Sequence, residues 1–407
     1  MSDESETQAD EGRTVAGVFF PILRLGLTSF GGPVAHLGYF HDEFVVRRKW
    51  LDERAYADLV ALCQFLPGPA SSQVGIGVGL ARAGIPGAIA AWVAFTMPSA
   101  FALILFGYGV VEFGDVASSG ALHGLKVVAV AVVAQAVWGM AQKLCPDAKR
   151  ATVAVLAAIA VLAVPSPFVQ VGAITLGGLF GWASLRADPV TDHVDLGVRV
   201  NRGVAIGALA LFFVGLIGLP LLSVAFPSQT MALVDSFYRS GSLVFGGGHV
   251  VLPLLQSEVV PPGWVSNDAF MAGYGAAQAV PGPLFTFAAF LGTVMTDAPN
   301  GIVGGFICLF SIFASSFLLV IGAMPFWDSL RRVEAVRNAL LGVNAVVVGL
   351  LLAALYNPVW TSAILSAADF GLALAAFTLL VFWKTPAWLV VILTALGGWS
   401  LHAVAMS

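Results

Sequence analysis

The chain is 407 residues long, 58% hydrophobic and only 10% charged, with a mean hydropathy of +0.91. Soluble proteins average about 25% charged residues, so this composition excludes a large solvated catalytic domain, a nucleic-acid-binding surface and a disordered interaction protein. It describes an all-α polytopic membrane protein; the net charge of −4 gives no sign of a polyanionic partner, and no nucleic acid is expected.

In chain order, residues 1–13 carry Asp3, Glu4, Glu6, Asp10 and Glu11 and read as a short disordered acidic tail with no cleaved leader. The next apolar stretch turns at Phe30-Gly31-Gly32. Between the basic cluster Arg47, Arg48, Lys49 and the basic Arg82, two short apolar segments near 53–66 and 70–81 flank Pro67-Gly68-Pro69. A helix of about 12 residues rises about 18 Å against a hydrocarbon core of about 30 Å, so two such pieces form a re-entrant hairpin with its break near mid-membrane. Long apolar runs follow near 87–111, 122–143, 150–164 and 167–185, then one after the polar stretch 186–202, near 203–225. Two further hairpins turn at Phe245-Gly246-Gly247 and Pro281-Gly282-Pro283, and the last runs fall near 302–325, 338–356, 364–383 and 386–404. The expectation is about nine full spans plus four hairpins.

The second half repeats the first. Arg24, Phe30, Gly31, Gly32 and Glu43 recur 215 positions on as Arg239, Phe245, Gly246, Gly247 and Glu258. Trp50, Gln64 and Pro67-Gly68-Pro69 recur 214 positions on as Trp264, Gln278 and Pro281-Gly282-Pro283. The organisation that follows is a repeat over 14–186, a polar linker and connecting helix over 187–228, and a second repeat over 229–407. In the first half the loop after the second full span carries Lys143, Lys149 and Arg150, whereas in the second half Arg331, Arg332 and Arg337 lie before the matching span. Basic loops stay in the cytoplasm, so equivalent loops face opposite sides and the repeats are inverted, with the N-terminus cytoplasmic and the C-terminus external.

Broken helices at membrane depth expose backbone polar groups that cost several kcal/mol unless they face protein or a water-filled cavity, which marks the tips as a site. Pro67-Gly68-Pro69 and Pro281-Gly282-Pro283 each start a helix, with Ser71, Ser72 and Thr286 just inside, and such starts attract anions. Arg24 and Arg239, six positions before each Phe-Gly-Gly, are candidates to neutralise a dianion bidentately; the alternative is snorkelling, or pairing with Glu43 or Glu258. Gln64 and Gln278 are candidate amide donors or hairpin caps, and Glu43 and Glu258 are candidate proton carriers or partners for arginine. Lys126 reads as snorkelling, and His36 as interfacial rather than part of a metal cage. Cys63, Cys145 and Cys308 are scattered without CxxC spacing, so neither a metal site nor a cofactor is expected, and a membrane-embedded oxyanion reductase is the weakest alternative.

The ordered words Phe30-Gly31-Gly32, Trp50, Gln64, Pro67-Gly68-Pro69, Phe245-Gly246-Gly247-Gly248-His249, Trp264, Gln278 and Pro281-Gly282-Pro283 resemble the chromate ion transporter family in its long two-domain form. The resemblance covers nearly the whole chain. It implies proton-gradient-driven export of chromate across a prokaryotic plasma membrane, chromate resistance, sulfate as competitor, and no enzyme activity. Sulfate or oxyanion uptake, or a passive anion channel, is the alternative within the same class. The bilayer and a small oxyanion are the expected partners, with a homodimer as the oligomeric expectation.

Overall fold

The computed structural model describes residues 13–117, 120–164, 166–187 and 200–406, and helices account for nearly all of them, with no strand among the described residues. The acidic tail, apart from Arg13, and most of the polar linker lie outside the described residues.

The first half contains α1 (Val15–Thr28), α2 (Gly32–His41), α3 (Glu53–Phe65), α4 (Ala70–Ala117), α5 (Gly120–Leu144), α6 (Ala148–Ala163) and α7 (Pro167–Ser184). The connector α8 (Arg202–Ala225) follows. The second half contains α9 (Gln229–Ser242), α10 (Val251–Val259), α11 (Asn267–Ala277), α12 (Phe287–Thr293), α13 (Gly301–Ala323), α14 (Glu334–Ala354), α15 (Ala367–Val381) and α16 (Ala387–Met406). Matching side chains begin matching helices by accepting otherwise orphaned N–H bonds. Thr14 accepts from Gly17 N as Ser228 does from Met231 N, and Asp52 accepts from Ala55 N as Ser266 does from Ala269 N.

The nine expected spans all appear as helices, and among the described residues five helices are long and apolar enough to cross alone: Ala70–Phe113, Gly120–Leu144, Arg202–Ala225, Gly301–Leu330 and Glu334–Ala363. Helices α6, α7 and α15 have 16, 18 and 15 residues, and at about 1.5 Å per residue none reaches the about 30 Å of a hydrocarbon core. The short pieces are held by glycine crossings in which a Cβ would strike backbone. Gly26 of α1 abuts Ala94 of α4, and Gly241 of α9 abuts Ile312 of α13. Gly120 and Gly124 of α5 lie on Gly398 and Thr394 of α16, while Asn338 and Gly342 of α14 lie on Gly181 and Gly177 of α7. The first two crossings match each other within the two halves, and the last two match each other between them.

Candidate functional site

The four breaks converge. Gly68 N donates to Val244 O at 2.7 Å, and Gly282 N donates to Ser29 O at 2.9 Å, so each Pro-Gly-Pro tip is hydrogen-bonded to the segment before the other half's Phe-Gly-Gly. Both glycines need their backbone conformation, with φ of +122° and +102°. A side chain would also collide: at Gly68 with Gln73 Nε2 (2.7 Å) and Ser316 Oγ (2.9 Å), at Gly282 with Ser99 Oγ (2.8 Å). The two Phe-Gly-Gly turns meet where Pro33 lies 3.3 Å from the position of a Cβ on Gly248.

Between these tips is a cavity of about 60 Å³ lined by Gly31, Gly32, Gln135, His249, Gln278 and Gly282, among others. A water needs about 10–15 Å³, so the space suits a small ion rather than a metabolite. Gly31, with φ +103°, is the N-cap of α2 and offers no side-chain cap, and the start of this ten-residue helix, Gly31, Gly32 and Pro33, lines the cavity. Tyr274 Oη lies 2.7 Å from His249 Nδ1, fixing the imidazole in the cavity wall, and Gln278 Nε2 donates to Tyr274 O at 3.4 Å.

A second polar set surrounds the first-half tip. Ser71 Oγ is 3.3 Å from His36 Nδ1, and Gln73 Nε2 braces the turn by donating to Pro67 O at 2.7 Å. Ser29 Oγ, His36 Nε2, Ser72 Oγ, Gln73 Oε1 and Ser316 Oγ are buried without a hydrogen-bond partner. An unsatisfied buried group costs about 1–3 kcal/mol, a concentration of cost that points to a ligand or water supplying the missing bonds. Thr286 Oγ1, by contrast, is satisfied by Pro283 O at 2.8 Å.

The expected site residues divide accordingly. Gly31, Gly32, Gln278 and Gly282 line the cavity, flanked by Pro281 and Pro283; Pro67, Gly68, Pro69, Ser71 and Ser72 form the second set. Gly246 and Gly247 turn beside Asn344 and Met140. Gln64 is exposed. The arginines are not brought together: they share neither a partner nor a cavity among the described residues. Arg24 is exposed on α1, whereas Arg239 donates to Glu258 Oε1 at 2.6 Å and to Asp235 Oδ2 at 3.0 Å. Glu43, 6% exposed, accepts from Arg48 Nε at 2.6 Å and Arg47 Nη1 at 3.1 Å. His36 is not interfacial: it is 1% exposed, edge-on to Phe95 at 5.4 Å. Gln135 escapes the sequence reading, although a glutamine in mid-span between two alanines is the kind of intramembrane polar residue that marks a pathway.

A family model described as "Chromate transporter" matches residues 16–182 and 231–399. An uncharacterized transporter of Methanocaldococcus jannaschii is 28% identical over 83% of this chain and 82% of its own length. Chromate transport proteins of Pseudomonas aeruginosa and Cupriavidus metallidurans are each 26% identical, over 82% and 80% of this chain and 78% of their own lengths. No solved structure matches the chain.

Proposed function

The chain belongs to the chromate transporter family, a family of transporters rather than enzymes, and from that premise we propose that it exports chromate across the plasma membrane by secondary active transport, driven by the proton gradient, with sulfate competing as an isosteric dianion. The observation that carries the reading is the small polar cavity between tips contributed by both halves. The amides at the start of α2, Gln135, Gln278 and His249 bind the oxyanion, and the unsatisfied hydroxyls around Gly68 take it as the halves rock.

An inverted arrangement of the two halves belongs to this reading, and the helix ends support it. His123, at the start of α5, lies 2.8 Å from Asp369 at the start of α15, and Gly120 lies on Gly398 near the end of α16. The start of α14, the counterpart of α5, lies instead against the end of α7, where Ala187 N donates to Asn338 Oδ1 at 2.8 Å. Arg24, exposed and without an ion pair among the described residues, keeps its charge for the dianion in this reading, while Arg239 is committed to carboxylates. Glu258 is the coupling group in this reading, because a proton on it leaves Arg239 to Asp235 alone; Glu43 plays the same part toward Arg47 and Arg48.

The test is chromate uptake into inside-out vesicles, with and without an imposed proton gradient and with excess sulfate. Gradient-stimulated accumulation that sulfate blocks, and that Gln135→Leu and Gln278→Leu each reduce at least ten-fold, is the expected result. Uptake that ignores the gradient and never exceeds equilibrium identifies a passive pathway and removes the coupling role of Glu43 and Glu258.

A further inference from the structure

A cleft of about 960 Å³ lies away from the tips, among α5, α11, α15 and α16. Two basic side chains one turn apart on α5 point into it. Lys126 Nζ donates to Asp268 Oδ1 at 3.0 Å, and His123 Nε2 lies 2.8 Å from Asp369 Oδ1. Exposure is lopsided in the first pair: the lysine side chain is 13% exposed and the aspartate 76%. The cation is therefore withdrawn into the cleft and its counter-ion stands at the edge.

Both acids sit in the first turn of a helix, Asp268 on α11 and Asp369 on α15, where the helix start favours a carboxylate without any lysine. Asp268 can thus turn to water, keeping the support of its helix start, when an anion takes its place on Lys126. A buried ammonium with a detachable counter-ion is a point-charge capture site for an oxyanion.

The cleft and the tip cavity are lined by the same three helices. Along α5 the lining passes from Lys126 to Gln135, along α11 from Ala272 to the Gln278 that follows it, and along α16 from Gly398 to Ala387. The rise along α5 from Lys126 to Gln135 is about 13 Å. In between, Leu125, Val128, Val132, Ala276, Val390 and Val391 form a buried apolar cluster. Gly275 lets α11 lie directly on the Leu125 carbonyl, and Gly124 lets α5 lie directly on the Thr394 carbonyl of α16, so at these two points the helices meet backbone to backbone.

We propose that this cleft is the access route between the tip cavity and one face of the membrane, closed here by the apolar collar, and that Lys126, exchanging Asp268 for the oxyanion, is its capture residue. The inference rests on the transport reading above.

Two measurements test it. In vesicles of both orientations, Lys126→Gln raises the half-saturating chromate concentration at least ten-fold from the face on which the cleft opens and changes it less than two-fold from the other; Asp268→Asn lowers it from that same face. Equal effects from both faces, or none in either variant, overturn the proposal. Independently, Leu365→Cys at the rim is placed in a Cys145→Ser background, since Cys63 and Cys308 are buried. An anionic thiosulfonate reagent modifies this cysteine at least ten-fold faster when Lys126 is present than when it is replaced by Lys126→Gln, a cationic reagent shows no such gain, and chromate protects. Rates indifferent to Lys126 overturn the capture role. If the intact protein moves no oxyanion at all, the transport reading fails, while chromate protection of the rim cysteine still reports on the cleft.

Discussion

Arg24 and Arg239 occupy the same place in the two halves and meet different fates because their neighbours differ. In the first half Arg47 and Arg48 take Glu43; in the second, that stretch is Pro261-Pro262-Gly263, and Glu258 is left to Arg239. Asp235, which adds a second carboxylate, stands where the first half has Phe20. Removing Arg239 strands two carboxylates that are only 9% and 11% exposed, and breaking such a buried pair costs about 3–5 kcal/mol. Arg239→Gln is therefore expected to lose most of its folded yield by size-exclusion chromatography and to recover it in combination with Glu258→Gln, while Arg24→Gln folds normally and loses transport. The equivalence of the two arginines is legible in the sequence; which carboxylate each meets is not, because partner choice hangs on two basic residues that only one half possesses. The same asymmetry separates Gln278, which reaches the cavity, from the exposed Gln64.

Among elements, the second hairpin is the most legible: segments expected near 53–66 and 70–81 are α3 and the first part of α4, because a proline-glycine-proline break and basic outer ends bound them on both sides. The interruption of α4 at Ala83 and Gly84, with φ of −136° and +64°, falls at the expected end of this hairpin, between Arg82 and Pro86; that the chain runs on there into the next span as one bent helix carries no comparable signal. Helix crossings are equally hidden, since 45 glycines in apolar runs do not announce which of them bears a contact. Gly124→Ala drives a methyl into the Thr394 carbonyl and Gly342→Ala into that of Gly177, and overpacking of this kind costs about 1–3 kcal/mol. Both variants should melt lower in detergent by similar amounts, whereas Gly139→Ala, which meets nothing within 4 Å, should not. At the outer end of the first hairpin, His41 Nε2 lies 2.8 Å from Glu53 Oε2, and that hydrogen bond raises the imidazole pKa above its ordinary 6.5. The raised value means that this link between α2 and α3 is fully present below pH 6.5 and is lost as pH rises through the folded-state value. Thermal unfolding midpoints followed upward from pH 6 should show a decline that Glu53→Gln removes.

For the whole molecule, the inverted arrangement proposed above gives an expected topology: reporters fused after Ser118 and after Asp328 should report opposite sides, and a shared side would refute the inversion. The reciprocal bonds at the tips, Gly68 N to Val244 O and Gly282 N to Ser29 O, have a further consequence. Neither half owns a finished centre; each supplies what the other's backbone lacks, so the two must be present in equal number. The connector α8, with only 17% of its apolar window buried, adds little to the packed interior. In the inverted arrangement proposed above its part is stoichiometry instead, yoking one copy of each half and reversing the second as it is threaded into the bilayer. A chain cut between residues 187 and 201 and made as two polypeptides should therefore reassemble into a working pair, while either piece alone should be inert, a division of labour that makes the linkage a matter of inheritance and assembly rather than of chemistry.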